Sequence, residues 1–218
     1  MRTKALLLTA GLSAAGIVSS QAQNVYSQNV VGYANVIIKG NGEYTLIANP
    51  FDDGNGNQLT NLVGSLPNKS QVITWNGTTF DTPIQKGGGV WGSSISLPPG
   101  TGFFVKNGIA GNPDVTNTFV GSVVVSSGSS ATNSIPTGFS LAGSYVPYTG
   151  DATSDTNINL GGVLPNKSQL ISWNTAGQVY DTPVQKGGGV WGSAFNISVG
   201  EGFFIKAQSG TNWTQSLQ

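Results

Sequence analysis

One segment of this chain carries the residue types of a binding site in close order. Gln85-Lys86-Gly87-Gly88-Gly89-Val90-Trp91 joins an amide, an amine, three glycines and an indole, and it returns unchanged as Gln185 to Trp191. A glycine-rich loop cradles phosphate when its amides converge on a helix start. Neither copy has the Gly-Lys-Ser/Thr order or a helical pattern after it, so the spacing does not serve a nucleotide. An indole also offers a flat apolar face to a sugar ring, while amides, amines and carboxylates place a few polar contacts. On that reading Trp91, Trp191, Gln85, Gln185, Lys86 and Lys186, with Asp81 and Asp181 nearby, are candidate ligand-binding residues for an extracellular polysaccharide. The architectural reading has the glycines bend the chain over a neighbouring sheet while the indole enters the core. Large aromatics in small β modules are mostly core, which favours the second reading.

Acid–base chemistry would fall to carboxylates, because the chain has no His and no Cys. That composition excludes a Ser-His-Asp or Cys-His triad, a Cys/His zinc site, a haem histidine and any disulfide. A glycosidase needs two facing carboxylates. The only acid retained in both copies is Asp81/Asp181, each two residues before a proline, where a turn is the simpler role. No catalytic residue and no cofactor is therefore expected, and the chain reads as a non-enzyme. Asp53, Asn55 and Asn57 have the spacing that opens a calcium loop. Gln58 stands where that loop needs Gly, and Gly64 where it needs a bidentate Glu, so turn-forming side chains are the fuller account.

The surface that surrounds these residues is unusual. Only 8% of the 218 residues are charged, against roughly a quarter in an average soluble domain, and Gly supplies 32. Nine basic and nine acidic residues leave no basic excess for nucleic acid. Arg2 and Lys4, an apolar run from Ala5 to Val18, and Ser20-Gln21-Ala22 read as a secretory signal cleaved after Ala22. The run is too short to serve as a transmembrane anchor. Its removal leaves seven Lys against nine acids, a formal charge of −2. The expected location is secreted, periplasmic or cell-surface.

An internal repeat organises the rest. Of the 41 residues from 66 to 106, 26 recur from 164 to 206, with two extra residues between Trp173 and Tyr180. Aromatic exchanges, Tyr44 for Phe139 and Phe80 for Tyr180, mark packed positions. Period-2 alternation over Val30–Ile38 and turn signals such as Asn76-Gly77 point to short antiparallel, half-buried strands. Gln58–Leu62 suits a single helical turn, and Ser126–Ser134 a Ser/Gly-rich loop. The expected fold is all-β: a signal over 1–22 and two homologous antiparallel β-sandwich or barrel-like modules over 23–117 and 118–218.

Asn24 to Tyr33, Tyr44 to Pro50, Trp75-Asn76-Gly77 and Pro99 to Val105 together resemble uncharacterised secreted β-repeat proteins of environmental Gram-negative bacteria. Gly138 to Leu141, Trp173-Asn174 and Gly200 to Phe204 repeat the likeness in the second half. The resemblance implies an exported β protein and brings no activity with it. The leading expectation is an envelope or extracellular structural or adhesion component. A glycan-binding module built on the duplicated segment stands second, and a carboxylate-dependent hydrolase third.

Overall fold

The computed structural model describes residues 30–125 and 130–217. The signal reading and residues 126–129 lie outside them. In chain order the strands of the first half are β1 Val31–Ile38, β2 Tyr44–Ala48, β3 Gln71–Ile73, β4 Ile84–Gly87, β5 Val90–Trp91, β6 Gly102–Lys106 and β7 Val115–Ser122. They continue as β8 Ser130–Ile135, β9 Gly138–Gly143, β10 Gly150–Asp151, β11 Gln169–Ile171, β12 Trp173–Asn174 and β13 Val179–Tyr180. The last are β14 Val184–Gly187, β15 Val190–Trp191, β16 Asn196–Ile197, β17 Gly202–Ala207 and β18 Thr211–Ser216. The fold is all-β and antiparallel, with two four-residue helical turns among the described residues, Leu59–Leu62 and Leu160–Val163. Among the described residues no helix is long and apolar enough to cross a membrane.

Each half builds one five-stranded sheet, in the orders β2-β6-β3-β4-β5 and β9-β17-β11-β14-β15. Each sheet is covered on one side by a two-stranded ribbon, β1 with β7 or β8 with β18. Alternation in β1 turns Ala34 and Ile38 inward onto Phe51, Phe103 and Phe119. In the second half Ile135, Phe203 and Trp213 fill the same space.

Three expectations change. The boundary at residue 117 falls within β7, whose pairing with β1 runs on to Ser122, so the chain changes core after that strand. Local composition could not show this, because the partner strand lies at the other end of the half. Ser130 to Ser134 are strand rather than loop. The central strands are also not half-buried. All but the first residue of β2 and all but the last of β6 are buried, because each sheet faces its own ribbon on one side and the other half on the opposite side.

That second contact joins the halves with a near two-fold correspondence. Leu46, Phe104 and Phe204 form a shared apolar cluster. The Ala48 amide donates to the Gly200 carbonyl at 2.9 Å, and the Gly143 amide to the Gly100 carbonyl at 3.0 Å. The backbones approach so closely that a Cβ on Gly143 would lie 2.1 Å from that of Ala48. A Cβ on Gly202 would lie 2.6 Å from the Ile47 carbonyl oxygen, so only glycine fits at either place.

Candidate functional site

The duplicated Gly-rich segment is architectural. Gly88 and Gly89, at φ +59° and +86°, form the two-residue turn between β4 and β5, as Gly188 and Gly189 do between β14 and β15. Both central positions need positive φ, and glycine supplies it without strain. The Asn68 side-chain oxygen accepts from the Gly89 amide at 2.7 Å, and Asn166 does the same for Gly189. Lys86 is buried, and its ammonium donates to the carbonyls of Gly64 at 2.5 Å and Leu66 at 2.6 Å. Lys186 reaches Gly161 and Leu164, each at 2.8 Å. The repeated Leu-Pro-Asn-Lys-Ser-Gln and Gln-Lys-Gly-Gly-Gly-Val-Trp blocks are therefore two sides of one packed joint.

The residues grouped by sequence do not converge. Alternation in β4 and β14 sends Gln85 and Gln185 to the outer face and the lysines inward. Trp91 is 8% exposed and packs in the first core, so it presents no platform. Trp191 is half-buried, its indole N–H donating to the Gly161 carbonyl at 3.2 Å with the Lys186 ammonium 5.9 Å from the ring centre. The proposed calcium ligands point at amides. Asp53 accepts from the Asn55 and Asn57 backbone N–H at 2.8 Å each, and the Asn57 side-chain oxygen accepts from the Asp53 N–H and the Asn49 side-chain amide. Desolvation pushes the Asp53 carboxyl up, but those amide bonds outweigh it and hold it below its ordinary value. Turn chemistry accounts for the spacing.

Asp81 and Asp181 lead to a different place. Each braces a hairpin that carries two large aromatics. Thr74 donates its hydroxyl to Asp81 at 2.6 Å, and the Asn76 amide donates at 3.2 Å. Ser172 and Asn174 do the same for Asp181, at 2.7 and 3.5 Å. The hairpins set Trp75 against Phe80, and Trp173 against Tyr180, with ring centres 5.0 Å apart in both. Each hairpin then reaches into the other half. The Trp75 indole N–H donates to the Phe139 carbonyl at 3.1 Å, and that of Trp173 to the Tyr44 carbonyl at 2.9 Å.

Two open apolar pockets result. One, of about 350 Å³, is lined by Trp75, Phe80, Phe139, Tyr180 and Phe204, with Asp181 beside them. The other, of about 310 Å³, is lined by Tyr44, Phe80, Phe104, Trp173 and Tyr180, with Asp81 beside them. Ile73 and Pro83, or Ile171 and Pro183, complete each lining. Position by position the linings correspond, and Phe80 and Tyr180 belong to both. These two rings are 43% and 44% exposed, so the aromatic exchange seen in the sequence marks an accessible wall, not a packed core.

Chemically the pockets offer aromatic surface and one carboxylate apiece. The fold and this site define a two-fold-like β protein with twin aromatic pockets at the seam of its halves. No protein-family model matches the chain, and no curated protein or solved structure resembles it significantly.

Proposed function

We propose that this chain is an exported, non-enzymatic β protein of the envelope or extracellular space, acting by surface contact through the paired aromatic pockets. The observation that carries the reading is the pair itself: three large exposed aromatics, Phe80, Tyr180 and Phe139, gather at one seam, while Tyr33 stands apart on the first ribbon. Contiguous exposed apolar surface of this kind marks ligand or partner sites. Each pocket brings one carboxylate, already engaged by its own hairpin, whereas hydrolysis of a glycosidic bond would need two facing ones. Export rests on the N-terminal signal pattern.

Expression in a Gram-negative host followed by fractionation tests the first part, and the protein should leave the cytoplasm. Retention of the purified chain on washed envelopes and extracellular polysaccharide tests the second. Phe80→Ala with Tyr180→Ala should cut retention at least tenfold without unfolding the chain. Cytoplasmic accumulation, or unchanged retention by the folded double variant, would overturn the reading.

A further inference from the structure

We propose that each aromatic pocket is a receptor for a quaternary ammonium group. The inference rests on the reading of the pockets as the contact site and names the chemistry they select. In the first pocket Phe204 is the hub. The rings of Trp75, Phe80, Phe139 and Tyr180 lie 5.5 to 6.3 Å from it at interplanar angles of 72° to 88°. In the second, Tyr44, Phe80, Trp173 and Tyr180 lie 5.1 to 6.4 Å from Phe104 at 73° to 88°. Four rings packed edge to face around a fifth give each pocket a mostly aromatic lining. The face of an aromatic ring is negative and attracts a cation.

The polar groups of the lining narrow the ligand further. Both tryptophan N–H groups are already committed to backbone carbonyls, so neither can donate to a ligand oxygen. The remaining polar groups are tyrosine hydroxyls and one carboxylate per pocket. A sugar ring would bring several hydroxyls that need donors and acceptors in fixed places. A plain hydrocarbon would gain nothing from the carboxylate at the pocket rim, whereas a cation would be attracted to it. An ammonium carrying methyl groups answers both demands, since its periphery is apolar, its charge is positive and it needs no hydrogen bond. Asp81 and Asp181 each accept two side-chain hydrogen bonds, which orient them and leave acceptor capacity free.

The rings already hold cations at their margins. The Lys106 ammonium lies 5.5 Å from the Tyr44 ring centre, and that of Lys206 lies 5.2 Å from Phe139. These charges would repel a bare cation and attract an anionic arm attached to it. A zwitterion such as betaine or phosphocholine should therefore bind more tightly than choline. Both volumes fall at the lower end of small-molecule sites, roughly 300–1,000 Å³.

Calorimetric titration of the full chain with choline, betaine, phosphocholine and 3,3-dimethylbutanol, the uncharged carbon analogue of choline, tests the proposal. Saturable binding to two sites is expected, with the uncharged analogue at least tenfold weaker. Betaine and phosphocholine are compared separately, and vesicles bearing phosphocholine headgroups distinguish a membrane source from the free solute. Asp81→Asn with Asp181→Asn should weaken binding about fivefold, and Phe80→Ala with Tyr180→Ala should abolish it while circular dichroism stays native. Equal binding of the uncharged analogue, no saturable binding of any ammonium ligand, or competition by a neutral oligosaccharide alone would overturn the proposal. None of those results would alter where the protein is exported or whether envelopes retain it, so the two readings fail separately.

Discussion

The two halves cover sheets of matching strand order and register with ribbons of different make. On the inner face, Ala34 and Ile38 of the first ribbon answer Ala131 and Ile135 of the second. The strands opposite them do not match. Ala34 lies across from Phe119, and Ala131 across from Gln215. Two residues back, the first half buries Asn117 and the second Trp213. Polar and aromatic side chains have exchanged places. The backbone beneath shows why this works. Ser144-Tyr145 follows β9 where Asn49-Pro50 follows β2, and the Tyr145 N–H donates to the Gln215 side chain at 3.1 Å. Pro50 has no N–H, so an apolar Phe119 leaves nothing unpaired there. On the outer face the first ribbon exposes Val31, Tyr33, Ile37 and Val120, while the second presents Thr132 and Thr214, joined by a 2.7 Å hydrogen bond. Identity persists at the lysine joint and at the seam tryptophans Trp75 and Trp173, where side chains bond backbone. Ribbons vary wherever volume and hydrogen bonds can be rebalanced.

The largest test of that contrast is Trp213→Ala against Asn117→Ala. Trp213 is 1% exposed, packs on Tyr145 and Phe203, and donates its indole N–H to the Ile158 carbonyl. Its loss should cost about 3–5 kcal/mol. The Asn117 side-chain amide is buried without a hydrogen-bond partner among the described residues. Its truncation should cost less than about 1 kcal/mol, because a poorly paired polar group contributes little. Urea unfolding of both variants measures the difference, and equal losses would show that the ribbons are energetically alike.

Next comes the joint the halves share. Lys86→Met should destabilise by about 2 kcal/mol, since the buried Leu66 carbonyl and the partly buried Gly64 carbonyl lose their donor. Lys186→Met should cost about half as much, because water reaches that partly exposed site and its bonds are longer. A larger loss for Lys186 would reverse the ranking of the two joints.

These two residues also show what a sequence conveys. The Gly-Gly turn, the Asn76-Gly77 hairpin and the alternation of β1 are local, and their residues state them directly. The Lys86 ammonium bonds carbonyls 20 and 22 residues away, and nothing beside it indicates that. Its repetition next to Trp91 therefore read as a ligand site. The pockets were less legible still, because each draws on both halves, from Tyr44 to Phe204. The one available signal was aromatic exchange at Tyr44/Phe139 and Phe80/Tyr180. It marked the right residues, but period and spacing cannot tell an open wall from a filled core.

Acid should separate the halves again. Asp151 pairs in register with Asn196, where the first half has Gln58 with Ser96. Burial pushes the Asp151 carboxyl up, but bonds from Thr153, Phe195 and Ser154 outweigh it and draw it from 3.8 down to about 2. A carboxylate depressed on folding adds stability above its ordinary value and loses it as pH falls through the folded one. The window is therefore pH 4 to 2, and the contribution is about 1–2 kcal/mol after solvent screening. Asp151→Asn should flatten the acid limb of the stability curve across that window, as measured by urea midpoints. Gln58→Glu should leave it unchanged, since the first half has no such set of donors at this position. An unaltered acid limb in Asp151→Asn would remove the distinction.

The smallest effect lies at the seam, where Glu201 in one half stands for Thr101 in the other. Ile47 bridges to Glu201, and Thr101 to Ala142, so both sit in the corresponding inter-half contact. Burial raises the Glu201 carboxyl above its ordinary value, although the Ser198 N–H partly offsets this from 3.0 Å. The sign is opposite to that of Asp151. When the folded state disfavours the ionised form, stability falls as pH rises from the ordinary value through the raised one, and the penalty is complete above it. Glu201→Gln keeps an acceptor for Ser198 and removes the charge. Its melting temperature should exceed that of the native chain at pH 8 by a margin worth less than about 1 kcal/mol. The difference should vanish at pH 4, where the native side chain is largely protonated in the fold. Thr101→Glu should lower stability at pH 8, as the same charge enters the matching contact. A Glu201→Gln loss of equal size at both pH values would mean that the carboxylate is a structural anchor of the seam, and that the two positions are not equivalent.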